Sequence, residues 1–161
     1  MQSHADTSPD TADVAGVIAP PPLIIAAGFL AGVVLDRALP QRSIGRRTTG
    51  LLLLATGLGL AGWGVKTMHE AKTPIQPTEP TQALVTAGPF HHTRNPLYLG
   101  MLLMYTSLAL LIDHFGPLLT LPGVVAVLRR GVVEREERYL ERKFGDEYRA
   151  YRSAVPRWLL R

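Results

Sequence analysis

The chain has 161 residues, 47% hydrophobic and 19% charged, with a formal net charge of +4 and no cysteine. One domain fits this length, and disulfides, thiolate metal sites and cysteine nucleophiles are excluded. Residues 15–35, 50–65, 97–112 and 115–128 carry no charge at all, which excludes a disordered chain and favours a small polytopic membrane protein over a soluble α/β enzyme. The net charge does not call for nucleic acid. The basic excess lies in the C-terminal third, beside an apolar hairpin, where anionic lipid headgroups are the nearer partner.

Residues 1–13 hold Asp6, Asp10 and Asp13 among Ser, Thr and Pro, with no Lys or Arg. A secretory signal needs a basic start, so this reads as a disordered tail, followed by a single domain over 14–161. Pro20, Pro21 and Pro22 open the first apolar segment. Proline is tolerated in a first helical turn, and residues from Val14 onward bring the stretch to about the 20 needed for a span. Gly28-x-x-x-Gly32 within it permits close helix approach in lipid. Pro40 is expected to end this helix, and Arg42, Arg46 and Arg47 form a basic connector. The second span covers residues 50–65. Its Gly57-Leu58-Gly59-Leu60-Ala61-Gly62 matches a dinucleotide-loop pattern, but a continuous apolar run leaves no room for the strand that such a loop requires. Helix packing is the expected use.

Residues 70–96 form a link with Pro74, Pro77 and Pro80, too proline-rich for a helix and long enough to point to function. The third span is read over 97–112, with a turn over 113–117. The fourth starts at Leu118 and contains Pro122-Gly123, where a kink is expected. From Arg129 the helix continues out of the apolar region until Phe144-Gly145 stops it. A last helical piece over 146–153 leads to Val155-Pro156-Arg157-Trp158. The expected fold is therefore all-α, with about four transmembrane helices and a cytoplasmic C-terminal helical cap.

A hairpin returns the chain to its starting side. Arg94, Asn95 and Tyr98 should therefore meet Glu134, Glu136, Glu137 and Tyr148 near the cytoplasmic interface. Here charges of both signs converge beside apolar walls.

The motifs at this junction resemble a known family. They are Gly88-Pro89-Phe90, Arg94-Asn95-Pro96-Leu97-Tyr98-Leu99-Gly100, Glu136-Glu137-Arg138-Tyr139-Leu140, Phe144-Gly145-Asp146-Glu147-Tyr148 and Tyr151. Together with Thr73-Pro74 and Leu84-Val85-Thr86, they look like the isoprenylcysteine carboxyl methyltransferase family, which is grouped with the phospholipid methyltransferases, in a small bacterial-type member. The resemblance covers about residues 70–158. It implies an integral membrane enzyme of the bacterial inner membrane that uses S-adenosylmethionine without a Rossmann domain. A lipid-like or hydrophobic small molecule would be the methyl acceptor, reaching the site from the bilayer. Carried over residue by residue, it implies a cofactor site of Gly88, Phe90, Arg94, Asn95, Tyr98, Gly100, Glu136, Glu137 and Tyr148, with Arg94 and Glu136 catalytic. Asn95 departs from the eukaryotic pattern, which has histidine there. Asparagine hydrogen-bonds but does not titrate near neutral pH. Carboxyl, amine and thiol acceptors all stay open.

The residue types fit such a cofactor on their own chemistry. Arg94 has the fork to hold a carboxylate. Glu136 or Glu137 can accept from an ammonium or a ribose, and Tyr98 or Tyr148 can face a sulfonium or stack on adenine. Plainer roles stay open beside these. Asn95-Pro96 is a good N-cap and N1 pair. Glu134, Glu137, Arg138 and Glu141 could form a solvated salt-bridge face, and the tyrosines could be interfacial anchors. His91-His92 lacks the i, i+4 spacing of a helical metal pair, so no metal site is expected. Adjacent helical residues point about 100° apart. Glu136, one turn before Tyr139 and Leu140, is expected to be the more buried, with Glu137 nearer the surface or holding a basic residue of the C-terminal piece. Two other functions stay open at this level: an intramembrane reductase with a nicotinamide cofactor, and a non-enzymatic membrane module.

Lys and Arg set the orientation. With four spans, the tail, the link and the C-terminal region share a side and hold 13 of the 17, against 4 on the other side. Positive-inside bias then puts both termini in the cytoplasm. Reporter fusions at residues 1 and 161 should both report the cytoplasm; opposite sides would mean an odd number of spans.

Overall fold

Apolar runs bounded by prolines and charges become five α-helices in the computed structural model, which describes residues 14–39, 45–77 and 79–159. They are α1 (Pro21–Asp36), α2 (Arg47–Glu70), α3 (Pro96–Leu111), α4 (Gly116–Leu128) and α5 (Glu134–Ala154). A short 3-10 turn, Gly88–His91, precedes α3, and a π-helical segment, Arg129–Val133, joins α4 to α5. No strand occurs among the described residues. The acidic tail, Pro40 and Arg42, on which expectations were placed, lie outside the described residues.

The first helix is shorter than expected. Residues 14–20 are not helical, and α1 starts at Pro21 with Pro20 as its N-cap and ends at Asp36. The cause is the proline run, because proline drives the residue before it away from helical geometry. Helices α1 and α3 have 16 residues each, about 24 Å at 1.5 Å per residue, against a hydrocarbon core of about 30 Å. Among the described residues two helices are long and apolar enough to cross a membrane: α2, with 24 residues, and the continuous 39-residue helical run Gly116–Ala154. Pro122 stands inside α4, and the departure from α geometry falls further on, in the π segment. Gly145 interrupts α5 with φ 53°, as expected, and helical residues resume to Ala154.

Glycines decide which helices meet. α2 packs along α3 and α1 along α4. On α2 the residues facing α3 are Gly50, Gly57 and Gly64, seven apart. A Cβ on Gly57 would stand 2.9 Å from Gly100 O, and one on Gly100 would stand 2.8 Å from Gly57 O. Ser107 Oγ donates to Gly50 O at 2.8 Å, closing the other end of this seam. Of the glycines in the dinucleotide-like pattern, only Gly57 is in the seam; Gly59 and Gly62 face open space. All three lie inside α2, so the pattern is helix and not a phosphate loop.

The Gly28-x-x-x-Gly32 pair does serve packing. Gly28 lies against Val124, and Gly32 against Pro117 and Gly116. Thr120 Oγ1 reaches Gly28 O at 3.0 Å and Tyr105 OH at 2.7 Å, so the polar groups of this seam are satisfied within it. At its far end the buried Asp36 accepts from Gly116 N–H (2.8 Å) and contacts His114 Nδ1 (2.6 Å). Outward, Leu23, Leu30, Val34, Leu51, Leu52, Leu58 and Trp63 are left exposed.

The end of α4 carries the core that supports the site. Leu128, Val132, Val133 and the ring of Tyr98 form a buried cluster, with Trp158 packed on it. Gly131 lies against Ile18, and its carbonyl accepts from Ile18 N–H at 3.1 Å. A side chain there would push the N-terminal segment away.

The two glycine environments on α2 predict opposite responses to one substitution. Gly57→Ala must force α2 from Gly100, and overpacking of this kind costs about 1–3 kcal/mol. Gly59→Ala meets open space and should be neutral or stabilising. Thermal unfolding of the two variants in detergent checks the contrast.

Candidate active site

The start of α3 and the first turns of α5 stand side by side, and the link over 73–85 closes across them. Together they enclose a cavity. Its apolar wall comes from Met68 on α2, Pro74, Ile75, Leu84 and Val85 on the link, and Leu97 and Leu140. Arg94, Asn95, Tyr98, Glu136, Glu137, Tyr139 and Tyr148 bring its polar groups.

Proline and threonine shape the link. Thr73 Oγ1 accepts from Gln82 N–H (3.0 Å) and Ala83 N–H (2.9 Å), folding the chain back on itself after Lys72, which takes φ 52°. Thr81 N–H donates to Tyr139 OH at 3.0 Å, fastening this strap to α5. Tyr151 OH donates to Phe90 O at 2.7 Å, holding the 3-10 turn.

Two acid groups sit in different surroundings. Glu136 Oε1 accepts from Tyr98 OH at 2.5 Å and has no cation against it among the described residues. Burial holds its carboxyl up at about 7; the Tyr98 hydrogen bond opposes the shift and the charge of Glu137 adds to it. Glu137 is clasped by two arginines. Arg157 Nε and Nη2 donate to its two oxygens at 3.0 and 2.7 Å, and Arg94 Nη1 lies 3.2 Å from Oε1. Arg94 Nη1 also donates to Tyr148 OH at 3.3 Å, and the Tyr148 phenol is pushed up to about 12, chiefly by burial. The Nε–H of Arg94, buried in the same place, has no hydrogen-bond partner among the described residues.

Of the nine expected site residues, Phe90, Arg94, Asn95, Tyr98, Glu136, Glu137 and Tyr148 line this cavity. Gly88 and Gly100 do not. Gly88 takes φ 58° under α2, where a Cβ would stand 2.7 Å from Thr67 Oγ1, and Gly100 belongs to the α2–α3 seam. Both glycines serve close approach of backbone.

Asn95 is the N-cap of α3, but its side chain makes no cap bond; Nδ2 donates to Arg157 O at 3.0 Å. The burial order of the glutamates is the reverse of that expected. Glu137 is 7% exposed because arginines close over it from two sides, whereas Glu136 is half-buried as a whole residue with its carboxyl group buried. Glu137 does hold a basic residue of the C-terminal piece, Arg157. Arg157 and Thr93 were not anticipated as part of the site. They are brought in by an irregular stretch that has no period to read.

The phospholipid methyltransferase model aligns with residues 46–147. The chain belongs to the phospholipid methyltransferase family. An uncharacterized protein of Haemophilus influenzae is 40% identical over 63 residues, which is 39% of this chain and 100% of that protein. No solved structure matches. The family match leaves out α1, Tyr148, Tyr151 and Arg157.

The raised Glu136 carboxyl has a stability consequence. Its pKa is higher folded than the ordinary 4.5, so the folded state keeps a proton that the unfolded chain has released. Stability is therefore lost as pH rises through this interval. Glu136→Gln should gain about 1–3 kcal/mol above pH about 7, allowing for its partial exposure, and little near pH about 4.5. Unfolding in detergent across this range measures it; an equal effect at both ends would contradict the assignment.

Proposed function

We propose that the protein is an integral membrane methyltransferase that uses S-adenosylmethionine and methylates a lipid-like or hydrophobic small molecule. Family membership supports methyl transfer. The observation that carries the cofactor is a pair of unfinished contacts facing one cavity: a buried Arg94 Nε–H without an acceptor and a Glu136 carboxylate without a cation. S-adenosylmethionine has a carboxylate for the first and cationic groups for the second.

When bound, the cofactor supplies an electrophilic methyl on sulfur, transferred in line with loss of a neutral thioether. Arg94 would hold the cofactor carboxylate through Nε, and Glu136, with Tyr98, would face its cationic part. Tyr148 offers an aromatic face. The apolar wall over Met68, Ile75 and Leu97 excludes water and suits a hydrophobic acceptor. For an amine acceptor, Glu136 is a cavity carboxyl that can take the proton before attack.

In this reading residues 14–161 form one domain with four membrane helices. The two 16-residue helices would be accommodated by tilting against their partners and by local thinning of the bilayer. The exposed leucines of α1 and α2 face lipid, and the helical cap and both termini lie in the cytoplasm of a bacterial inner membrane.

Binding of labelled S-adenosylmethionine to purified protein tests this, and separates methyl transfer from a nicotinamide-dependent reductase or a non-enzymatic module. Arg94→Ala should weaken binding about tenfold to a hundredfold. Arg94→Lys should weaken it too, since a lysine keeps the charge and loses the fork. Wild-type affinity in a folded Arg94→Ala protein would remove Arg94 from the site.

A further inference from the structure

We infer that Arg157, in the segment after α5 and outside the family match, is a positioning residue that keeps Arg94 free for its ligand. The inference rests on the proposed cofactor site, which it deepens by naming what holds Arg94 in place.

Arg157 occupies both oxygens of Glu137, with Nε to Oε1 and Nη2 to Oε2. This is the bidentate geometry that a guanidinium and a carboxylate adopt at their strongest. Arg94 meets the same carboxylate through Nη1 alone, on the oxygen already shared with Arg157. A fork from Arg94 onto Glu137 would have to share both oxygens with Arg157. Among the described residues the buried Nε–H of Arg94 has no hydrogen-bond partner, although Nη1 of the same guanidinium lies against the Glu137 carboxylate. Without Arg157, Glu137 would be open to a fork from Arg94, which would consume the group that the ligand needs.

The backbone of the same segment is held by the stretch it serves. Arg94 N–H donates to Pro156 O at 3.0 Å. Thr93 Oγ1 and Asn95 Nδ2 both donate to Arg157 O at 3.0 Å. Trp158 packs on the Tyr98–Leu128–Val132–Val133 cluster, and Val155 is buried. Residues 93–95 and 155–158 therefore keep a constant register, and the Arg157 side chain is delivered to Glu137 from that frame. Substitution of this side chain leaves those backbone acceptors in place.

The experiment is a double-mutant cycle on the full chain in detergent, with Arg157→Ala, Arg157→Lys, Glu137→Gln and the double variant Arg157→Ala/Glu137→Gln. Affinity for S-adenosylmethionine is measured by calorimetry on protein shown to be folded. Arg157→Ala should lose about tenfold or more in affinity, with partial rescue by Arg157→Lys. The double variant should bind no more weakly than Glu137→Gln alone, because Arg157 acts through Glu137. Unchanged affinity in Arg157→Ala, or losses that multiply in the double variant, would overturn the inference. A second arm needs no ligand. The Arg94 Nε–H resonance, assigned with Arg94→Lys, should move in Arg157→Ala and should not move when Arg157→Ala is added to Glu137→Gln. If the wild type fails to bind S-adenosylmethionine, the proposed function falls and this arm decides the clamp: a resonance that stays put in Arg157→Ala rejects it, and one that moves only while Glu137 is present upholds it.

Discussion

A carboxylate withdrawn from water loses several kcal/mol of hydration unless cations replace it. Glu137 sits under that constraint, and two guanidiniums from distant parts of the chain relieve it. Arg94 comes from the stretch before α3, Glu137 from α5 and Arg157 from the segment beyond. The carboxylate thus joins three stretches that share no helical face. Removing one partner of such a buried cluster costs about 3–5 kcal/mol, since the charges left behind remain buried. The ion cluster therefore ties α5 and the segment after it to the start of α3, and the cavity forms in the space beside it.

The apolar part of the molecule meets a different requirement. In lipid there is no hydrophobic gain from joining two helices, so close packing has to hold them. The Gly50–Gly57–Gly64 row against α3 and the Gly28–Gly32 pair against α4 provide it. Because Gly57 and Gly100 let backbones touch, α3 is held against α2. Its first turn then presents Tyr98 to α5 and Leu97 to the cavity. The site lies where the apolar helices end and charged residues begin, so polar and apolar groups line one cavity.

Much of this was legible from residue order. Uncharged runs marked α1 to α4, Gly145 marked the break in α5, and the motifs from Arg94 to Tyr148 marked the charged and tyrosine groups that the start of α3 and α5 bring to the cavity. What was not legible follows from contacts that have no period. The proline run shortened α1, because three prolines can begin a helix but cannot be crossed by one. The glutamates exchanged their expected burial, since helical phase says which way a side chain leaves the helix but not what closes over it. Gly88 and Gly100 belong to motifs that suit a ligand, yet a glycine inside a motif can serve backbone approach. Arg157 lay beyond the last regular helix, where neither period nor capping pattern indicates a partner 20 residues upstream.

The π segment between α4 and α5 acts as a phase adjuster. A π turn takes up one residue more than an α turn, and each residue turns an α-helix by about 100°. The apolar face that ends at Leu128 and the acidic face that starts at Glu134 therefore stand in different angular frames on one continuous helical run. Loss of a single residue there would turn the π turn into an α turn and keep both glutamates on the side of Tyr98 and Arg94, whereas loss of one residue from the α turns that follow would swing them by about 100°. The relative facing of the apolar run and the polar run thus depends on the extra residue and on the π turn that absorbs it.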